Sequence, residues 1–221
     1  GIDGDGGQIE TSGAVLNYNG IKVDTSSETG NYGSWLLDPT NLTVGSSEAS
    51  TYVSNLASTN VNVTADNTIT VNSAISYGGG RSNGTLTFTS ASTVLNANVG
   101  SSSNSLNVVF ASAVKLGADV TINTRGGDLT LNSTLDSNTS TAKGLTVSGS
   151  SGSATFGGNI GSTYRLSGID VTAGTINIGG NISTDASAGT YSTSSLGAAG
   201  WIRSDYNLSL IHISEPTRPN C

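Results

Sequence analysis

The sequence is poor in the residues on which metal sites and many enzymes depend. Its 221 residues include one cysteine, one histidine, three prolines and no methionine. The cysteine, Cys221, and the histidine, His212, both lie in the segment 208–221. Residues 1–207 therefore offer no disulfide, no thiolate nucleophile and neither of the side chains that zinc prefers.

Charge and long apolar runs are also scarce. Only 10% of the residues are charged, the net charge is −7 and the isoelectric point is near 4.4. An acidic chain without basic clusters disfavours nucleic acid and anionic membrane surfaces as partners. No run approaches the ~20 apolar residues of a membrane-spanning helix. The chain begins without methionine or a signal peptide, so we expect the N-terminus of a longer parent protein to lie upstream.

Small polar residues are abundant instead. Thirty glycines occur among many serines, threonines and asparagines, and 34% of the residues are hydrophobic. Disordered chains combine low hydrophobicity with high net charge, and this chain has little charge. Its composition suits a fold that repeats thin β-layers joined by polar turns.

The C-terminal segment differs from everything before it. Leu208–Arg218 reads LSLIHISEPTR, which resembles the translation of a common sequencing-library adapter. We therefore interpret residues 208–221 as a non-native tail and expect it to pack against nothing. A genuine but frayed C-terminal tail is the alternative.

Short runs of alternating apolar residues recur between positions 60 and 183. Each unit has one apolar pair, a polar turn and a second apolar set; the members are Val61, Val63, Ile69, Val71, Ile75, Leu86, Phe88, Leu95, Val99, Leu106, Val108, Val114, Leu116, Val120, Ile122, Leu129, Leu131, Leu135, Leu145, Val147, Phe156, Ile160, Ile169, Val171, Ile176, Ile178 and Ile182. One equivalent residue from each unit gives positions 71, 95, 116, 131, 156 and 178, which are 24, 21, 15, 25 and 22 residues apart. This spacing predicts solenoid coils of 20–25 residues with one irregular step.

The period of two within each run predicts strands rather than helices. Alternate residues face opposite sides of a strand, so one side is Val, Ile or Leu and the other is Thr, Asn or Ser. We expect stacked coils to close a continuous core, with strands paired to the coil above or below. Ala14–Ser183 should form such strands with almost no helix. Glycines in the corners Gly126–Gly127, Gly157–Asn159 and Gly179–Asn181 should supply positive φ, and corner asparagines should form ladders.

An antiparallel, immunoglobulin-like sandwich is the alternative architecture. Such domains have turn signals every 8–12 residues, which this chain also has. They rely on a larger aromatic core, whereas aromatic residues are 5% of this chain. The repeating unit therefore favours the solenoid.

The first fifty residues carry a set of motifs in a fixed order. Ile9–Gly13 reads IETSG, Val23–Thr25 reads VDT, and Trp35–Val44 reads WLLDPTNLTV. Later segments read NTITVNSAISY at Asn67–Tyr77 and GDLTLNSTL at Gly127–Leu135. Across residues 5–185 the chain resembles the filamentous haemagglutinin-like exoproteins of two-partner secretion, which are large β-strand-repeat adhesins.

This resemblance implies an all-β fold, a right-handed parallel β-helix, and a location outside the cell or on the surface of a Gram-negative bacterium. It implies export by an outer-membrane barrel that recognises an N-terminal secretion domain missing from this fragment. It also implies roles in adhesion, haemagglutination, aggregation and biofilm formation, with host-cell or abiotic surfaces and glycans as partners. The resemblance carries over no catalytic residue and no cofactor.

Four segments follow from these patterns. Residues 1–50 form a β-helix segment with the family motifs, and 51–185 form the solenoid repeats. Residues 186–207, with Trp201 and Ile202, begin a possible further coil, and 208–221 form the tail. Within the first segment, Pro39 should end a strand, because proline cannot donate to a sheet, and Leu42 and Val44 should resume the alternation. Trp35 is interpreted as a structural plug, and a sugar-binding tryptophan is the alternative.

Three further patterns have both a functional and a plain interpretation. Asp3-Gly4-Asp5-Gly6 resembles part of a calcium loop but lacks the later ligands, so a turn is expected. Asn41, Asn83, Asn132 and Asn181 begin Asn-x-Ser/Thr sequons that an Asn/Thr-rich chain also produces by chance. Gly78–Gly80 followed by Arg81 is expected to be a loop rather than a phosphate cradle, because no helix signal follows.

The enzymatic alternative is a polysaccharide lyase or glycosidase on the same β-helix scaffold. Such enzymes need clustered carboxylates with a basic residue or calcium. The candidates are Asp66, Asp119, Asp128, Asp136 and Asp170, with Arg125 as the one nearby base. Asp66 and Asp128 are expected in comparable corners with a turn-forming role. We therefore predict a chain that is not an enzyme and has no cofactor.

Overall fold

The computed structural model describes residues 4–185, together with the backbone of three further strands at 190–192, 195–198 and 202–204. These residues form one α-helix and 22 β-strands. In chain order they are β1 (Gln8–Gly13), β2 (Ser34–Pro39), β3 (Leu42–Val44), α1 (Ser46–Asn55), β4 (Asn60–Thr64), β5 (Thr68–Val71), β6 (Ile75–Tyr77), β7 (Gly84–Thr89), β8 (Ser92–Leu95), β9 (Val99–Ser101), β10 (Leu106–Phe110), β11 (Ala113–Leu116), β12 (Val120–Asn123), β13 (Leu129–Leu131), β14 (Leu135–Ser137), β15 (Gly144–Ser148), β16 (Ser153–Phe156), β17 (Gly168–Thr172), β18 (Thr175–Ile178), β19 (Ile182–Thr184), β20 (Thr190–Ser192), β21 (Ser195–Ala198) and β22 (Ile202–Ser204). The tail at 208–221, Asp3 and Trp201 lie outside the described residues.

The strands form three sheets that follow the length of the solenoid. The first sheet has the order β1–β2–β4–β7–β10–β13–β16–β18–β21, and the third has the order β6–β9–β12–β15–β17–β20. The second sheet has the order β3–β5–β8–β11–β14. Ile160 then bridges Leu135 of β14 to Ile182 of β19, and the sheet continues with β19–β22. Every pair among the described strands is parallel. The predicted parallel β-solenoid, with about seven turns, is therefore confirmed, and the antiparallel sandwich is wrong.

The strand register shows that the predicted irregular step of 15 residues, from Leu116 to Leu131, is not a step between equivalent positions of neighbouring coils. Leu116 in the second sheet pairs with Ser137, which is 21 residues later. Leu131 instead pairs with Phe110 in the first sheet, so the 15-residue step joined two different sheets and is wrong. The apolar pattern was misleading because Ser137, a polar residue, occupies the inward position and is 1% exposed. Its hydroxyl is satisfied by the Arg165 carbonyl and the Lys143 N–H.

One hydrophobic core runs through the stacked coils. All the alternating apolar residues named in the sequence analysis are buried in it, from Val61 to Ile182. Equivalent inward positions stack from coil to coil, as Phe88 and Phe110 do with ring centroids 5.3 Å apart and planes 12° apart. The polar residues between them face outward, so burial alternates along the strands as the period of two predicts.

Corner glycines are required by close backbone approach more than by positive φ. Of the corner glycines named above, only Gly126 has a positive φ, 97°, so the general expectation of positive φ is wrong. A Cβ on Gly158 would lie 2.6 Å from the carbonyl carbon of Ser133, and one on Gly180 would lie 2.5 Å from that of Gly158. Adjacent coils therefore leave no room for a side chain here. Corner asparagines do link neighbouring coils: Asn96 Nδ2 donates to Asn72 Oδ1 at 2.7 Å, and the Asn181 N–H donates to Asn159 Oδ1 at 2.9 Å.

Substitution of Gly158 by alanine should destabilise the solenoid by roughly 1–3 kcal/mol, the usual cost of overpacking a filled site. The measurement is the urea midpoint of unfolding. Gly80→Ala is the matched control, because a Cβ there meets nothing within 4 Å. Equal stability of the two variants would show that neighbouring coils are not in contact at this corner.

The expectation of almost no helix is confirmed, because the described residues contain one short helix, α1, whose position was not predicted. Ala49, Tyr52, Val53 and Leu56 have the i, i+3, i+4, i+7 spacing of an apolar helical face. Tyr52 and Leu56 are fully buried. Glu48 Oε2 accepts a hydrogen bond from the Gly45 N–H at 2.9 Å, which is half of a capping box. This spacing and this glutamate were the available sequence signals.

The helix covers the N-terminal ends of two sheets. It packs against β3, the first strand of the second sheet, and β6, the first strand of the third sheet. Unpaired edge strands invite unwanted pairing, and a covering helix prevents it. The sequence also predicted strands from Ala14 onward, but residues 14–33 contain none, so this part of the prediction is wrong. The helix is not long and apolar enough to cross a membrane.

Residues 18–25 lie against the helix as a strap held by polar contacts. Asn55 Oδ1 accepts from the Val23 N–H at 2.6 Å, and Asn55 Nδ2 donates to the Ile21 carbonyl at 2.9 Å. The Tyr18 and Tyr52 hydroxyls are 2.5 Å apart, and their rings stack. We call α1 with this strap the N-terminal cap. The exposed residues of α1 include Ser47 and Ser50, and a polar outer face is what the end of a repeat array requires.

The WLLDP motif forms most of strand β2, and the corner follows it at Thr40 and Asn41; Trp35 is buried, as the structural interpretation predicted. Trp35 and Leu37 are fully buried, β2 ends at Pro39, and Leu42 and Val44 resume the inward alternation in β3. Trp35 Nε1 donates to Thr11 Oγ1 at 3.1 Å, so its one polar atom is satisfied inside the fold. A surface sugar contact by Trp35 is therefore excluded.

Candidate functional site

The outward face of the third sheet carries a shallow polar groove. Two adjoining depressions, of about 330 and 440 Å³, share Asn98 and Thr121. They are lined by consecutive coils, from Ala74–Ser76 at one end to Ser167, Gly168 and Asp170 at the other. We call this surface the third-sheet groove. Its walls are hydroxyl, amide and carboxylate groups placed by parallel strands in register.

A glycine forms part of its floor. Gly100 pairs with Ser76 on one side and with Asn123 on the other. The side chains of these two neighbours form part of an outward row, and Gly100 leaves a gap in that row because it has no side chain. Its φ is +149°, and a Cβ would lie 2.1 Å from the Asn123 carbonyl oxygen. The central outward row of the first sheet, by contrast, is unbroken and consists of Thr87, Val109, Thr130, Thr155 and Asn177.

Backbone N–H groups fix the orientation of three side chains in the groove. Asn98 Oδ1 accepts from the Thr121 N–H at 2.7 Å, and Asp119 Oδ1 accepts from the Gly144 N–H at 2.7 Å. Asn123 Oδ1 accepts from the Arg125 N–H at 3.1 Å. Each bond links a side chain to a backbone group, and two of them connect neighbouring coils. Sequence reasoning missed Asn98 and Asn123, whose signal was an asparagine just before or at the end of a short strand.

The structure brings two of the five candidate carboxylates into this groove. Asp119 lies just before β12, and Asp170 lies in β17, two strands further along the sheet. Two strand spacings and two residues of offset separate their backbone positions by roughly 12 Å. The two aspartates therefore share a surface from strands that are two positions apart in the third sheet.

The other three candidates lie elsewhere, and one expectation about them is wrong. Asp66 lies between the first and second sheets, whereas Asp128 lies between the third and first, so the two corners are not comparable. Asp128 Oδ1 accepts from the Ser153 N–H at 2.8 Å, which is a structural contact between coils. Asp136, 7% exposed in the second sheet, accepts from the Thr163 N–H at 2.8 Å.

The basic residues near these positions have structural contacts. Arg125 follows β12 whereas Asp119 precedes it, and its Nη2 donates to the Ser102 carbonyl at 2.7 Å. Arg81 follows the Gly78–Gly80 loop, and its guanidinium lies 4.2 Å from the centre of the Tyr32 ring. Burial lowers the pKa of Arg81, and the neighbouring Tyr77 and Tyr32 oppose this effect. No helix follows the loop; the next element is strand β7.

No metal site emerges from the described residues. Asp5 Oδ1 accepts from the Asn31 N–H at 2.7 Å, and this bond links two segments that are 26 residues apart in the sequence. No group of three His, Cys, Asp or Glu side chains within residues 4–185 is placed to hold a metal ion. Among the sequon asparagines, Asn41 and Asn132 are exposed, and Asn83 accepts from the Ser105 hydroxyl at 2.8 Å.

The third-sheet groove offers hydroxyl and amide groups and two carboxylates to a ligand. Hydroxyl and amide groups both donate and accept, whereas carboxylates only accept. None of the groove residues is a lysine, arginine, histidine or tyrosine.

No protein-family model, no curated protein and no solved structure matches the chain.

Proposed function

We propose that the chain is a structural and adhesive segment of a secreted bacterial surface exoprotein of the filamentous haemagglutinin-like type. The observation that carries this proposal is the single core that joins the coils from Tyr18 to Ile182. Because each coil pairs with the next through parallel strands in all three sheets, the segment forms a continuous rod. Such a rod is suited to hold a binding surface away from the cell.

By this proposal the chain acts outside the cell, at the surface of a Gram-negative bacterium. An outer-membrane barrel exports it by recognising a separate N-terminal domain. Residues 1–207 contain no cysteine, so no disulfide within them interferes with passage of an unfolded chain. The targets are host-cell or abiotic surfaces, including glycans, and the outcome is attachment, aggregation or biofilm formation.

The outward rows support many weak contacts rather than one strong site. The first sheet presents Thr87, Thr130 and Thr155 in register, and the third presents Thr121 and Thr146. Each neutral hydrogen bond contributes only about 0.5–1.5 kcal/mol after exchange with water. Strong attachment then requires many copies, because linked weak sites gain avidity of ~10²–10⁴ without any new contact.

Coupling density should therefore control attachment. The single cysteine, Cys221, allows the chain to be coupled to beads through a maleimide at graded density. Bead retention on epithelial cells or glass under flow should rise much more steeply than in proportion to density. Beads blocked with a small thiol are the control. Retention that grows only in proportion to density, or that is absent at full density, would contradict the proposal.

The alternative function is a carbohydrate-active enzyme, and the meeting of Asp119 and Asp170 in one groove is the observation that favours it. Such an enzyme needs a group that donates or removes a proton beside the bond that breaks. Such enzymes also place a basic residue beside their carboxylates, and none of the described lining residues of the groove is basic. We therefore propose binding without catalysis. Polysaccharide depolymerisation that is lost in Asp119→Asn would favour the enzyme instead.

A further inference from the structure

We propose that the third-sheet groove binds a neutral, unbranched polysaccharide laid parallel to the solenoid axis, with about one sugar for each coil. This inference rests on the proposed adhesive function and specifies its ligand class and its site. It is carried by three features of the groove: its direction, its hydrogen-bonding groups and its charge.

The direction of the groove fits an extended polymer. The lining residues come from five consecutive coils, represented by Ser76, Asn98, Thr121, Thr146 and Asp170. Strands in a sheet are ~4.8 Å apart, so four spacings give a groove on the order of 20 Å long. A pyranose in an extended chain advances by a similar distance. A linear glycan along the axis would therefore meet outward polar groups at each coil, among them the row Thr121, Thr146 and Asp170, which are in register.

The hydrogen-bonding groups are already oriented. The side-chain oxygens of Asn98 and Asn123 accept from backbone N–H groups, which fixes each amide plane. Within residues 4–185, neither Nδ2 group donates to a protein acceptor, so both remain available to a ligand oxygen. Asp119 is held in the same way through one carboxylate oxygen. Oriented groups lose little side-chain entropy on binding, and sugar hydroxyls both donate to carboxylates and accept from amides.

Charge selects an uncharged chain over an acidic one. Two carboxylates line the groove, none of its described lining residues is cationic, and the whole chain has a net charge of −7. Arg125 lies near one rim, but its Nη2 already donates to the Ser102 carbonyl. A polyuronate or sulfated glycan would place like charges beside Asp119 and Asp170. The carboxylates would attract a cationic polymer, but only two of the five coils carry one, so a polymer with a cation on every sugar would find no partner at the other three.

The test is affinity electrophoresis of the full chain in native gels that contain hydroxyethyl cellulose, linear mannan or polygalacturonate. Thr121→Arg should fill the centre of the groove and weaken retention in at least one neutral gel by about tenfold or more. Thr130→Arg is the matched control, because Thr130 is a half-buried, outward threonine on the first sheet. It should change retention by less than about twofold. Thr146→Arg, at an exposed groove position, carries the test if Thr121→Arg does not fold.

The possible outcomes separate this inference from the proposed function. Retention in a neutral gel that is unchanged by both groove variants would overturn the site, while density-dependent bead attachment would still support adhesion. Stronger retention in polygalacturonate than in the neutral gels would overturn the ligand class. Absence of retention in every gel would overturn the inference alone, whereas loss of bead attachment would reject the adhesive function itself.

Discussion

Phe110→Ala should destabilise the protein by about 3–5 kcal/mol, the usual cost of removing a large aromatic side chain from a core. Phe110 is fully buried in β10 and stacks on Phe88 of the coil before it. The substitution removes this contact and leaves a cavity. The backbones of the neighbouring strands are held in place by their parallel pairing with β10, so they cannot move in to fill it. The measurement is the free energy of unfolding from urea titration followed by circular dichroism.

The preceding residue in the same strand provides the control. Val109 faces outward and is half-buried, so Val109→Ala should cost well under about 1 kcal/mol. Hydrogen exchange adds a spatial test, because coils in a solenoid interact only with their neighbours. In Phe110→Ala, protection should fall first in β7, β10 and β13, which are adjacent in the first sheet. A loss spread evenly over all coils, or equal effects of the two variants, would contradict this account of the core.

The sequence was sufficient to predict the fold class, because period-two alternation and coil length follow from the residues themselves. It was not sufficient to predict the register of every coil. Leu116 and Leu131 looked equivalent because both follow an apolar residue at i−2, yet they belong to different sheets. The register is set by which residues face inward, and Ser137 faces inward despite being polar. Its two hydrogen bonds come from residues later in the chain, which local pattern does not reveal.

The N-terminal cap shows a second limit of sequence reasoning. α1 is rich in serine and threonine, which are weak helix formers, so propensity alone did not predict it. Its stability comes from burial of Tyr52 and Leu56 and from the Asn55 contacts with the strap. These contacts join residues more than 30 positions apart. Tertiary packing therefore decided the structure of this segment against its local preference.

The candidate site was only partly predictable for a similar reason. Five aspartates were candidates because their carboxyl groups are titratable, but of these five only Asp119 and Asp170 line the third-sheet groove. The register decides which outward residues become neighbours, and a register error of a few residues moves a carboxylate to another sheet. Asn98 and Thr121 were overlooked because each is ordinary in composition. Their alignment across coils gives them a shared surface.

Alkaline pH should destabilise the N-terminal cap before the rest of the solenoid. Burial raises the pKa of Tyr18 to about 12 from an ordinary value of 10.0, with a hydrogen bond from Tyr52 opposing the effect and Glu48 adding to it. Burial likewise raises the pKa of Tyr52 well above its ordinary value, and the charge of Tyr18 adds to the increase. The folded protein therefore keeps protons that the unfolded chain releases near pH 10.

The sign of the effect follows from proton linkage. Because the folded state binds more protons, the stabilisation is fully present below pH 10 and is lost as the pH rises towards 12 and beyond. Tyr18 alone accounts for a loss on the order of 2–3 kcal/mol over this range. The measurements are urea midpoints across the range, with tyrosinate absorbance recorded in parallel. Tyrosinate from the cap should appear together with the loss of helical signal.

Two variants identify the residues responsible for this pH dependence. Tyr52→Phe removes one ionisable group and the hydroxyl contact, so the loss of stability between pH 10 and pH 12 should be smaller than in the unmodified protein. The double variant Tyr18→Phe, Tyr52→Phe should remove most of it. Tyr164→Phe, at a position that is 44% exposed, is the control and should leave the pH dependence unchanged. If Tyr164→Phe flattened the profile as much as Tyr52→Phe, the tyrosine pair would not be the group that couples the cap to pH.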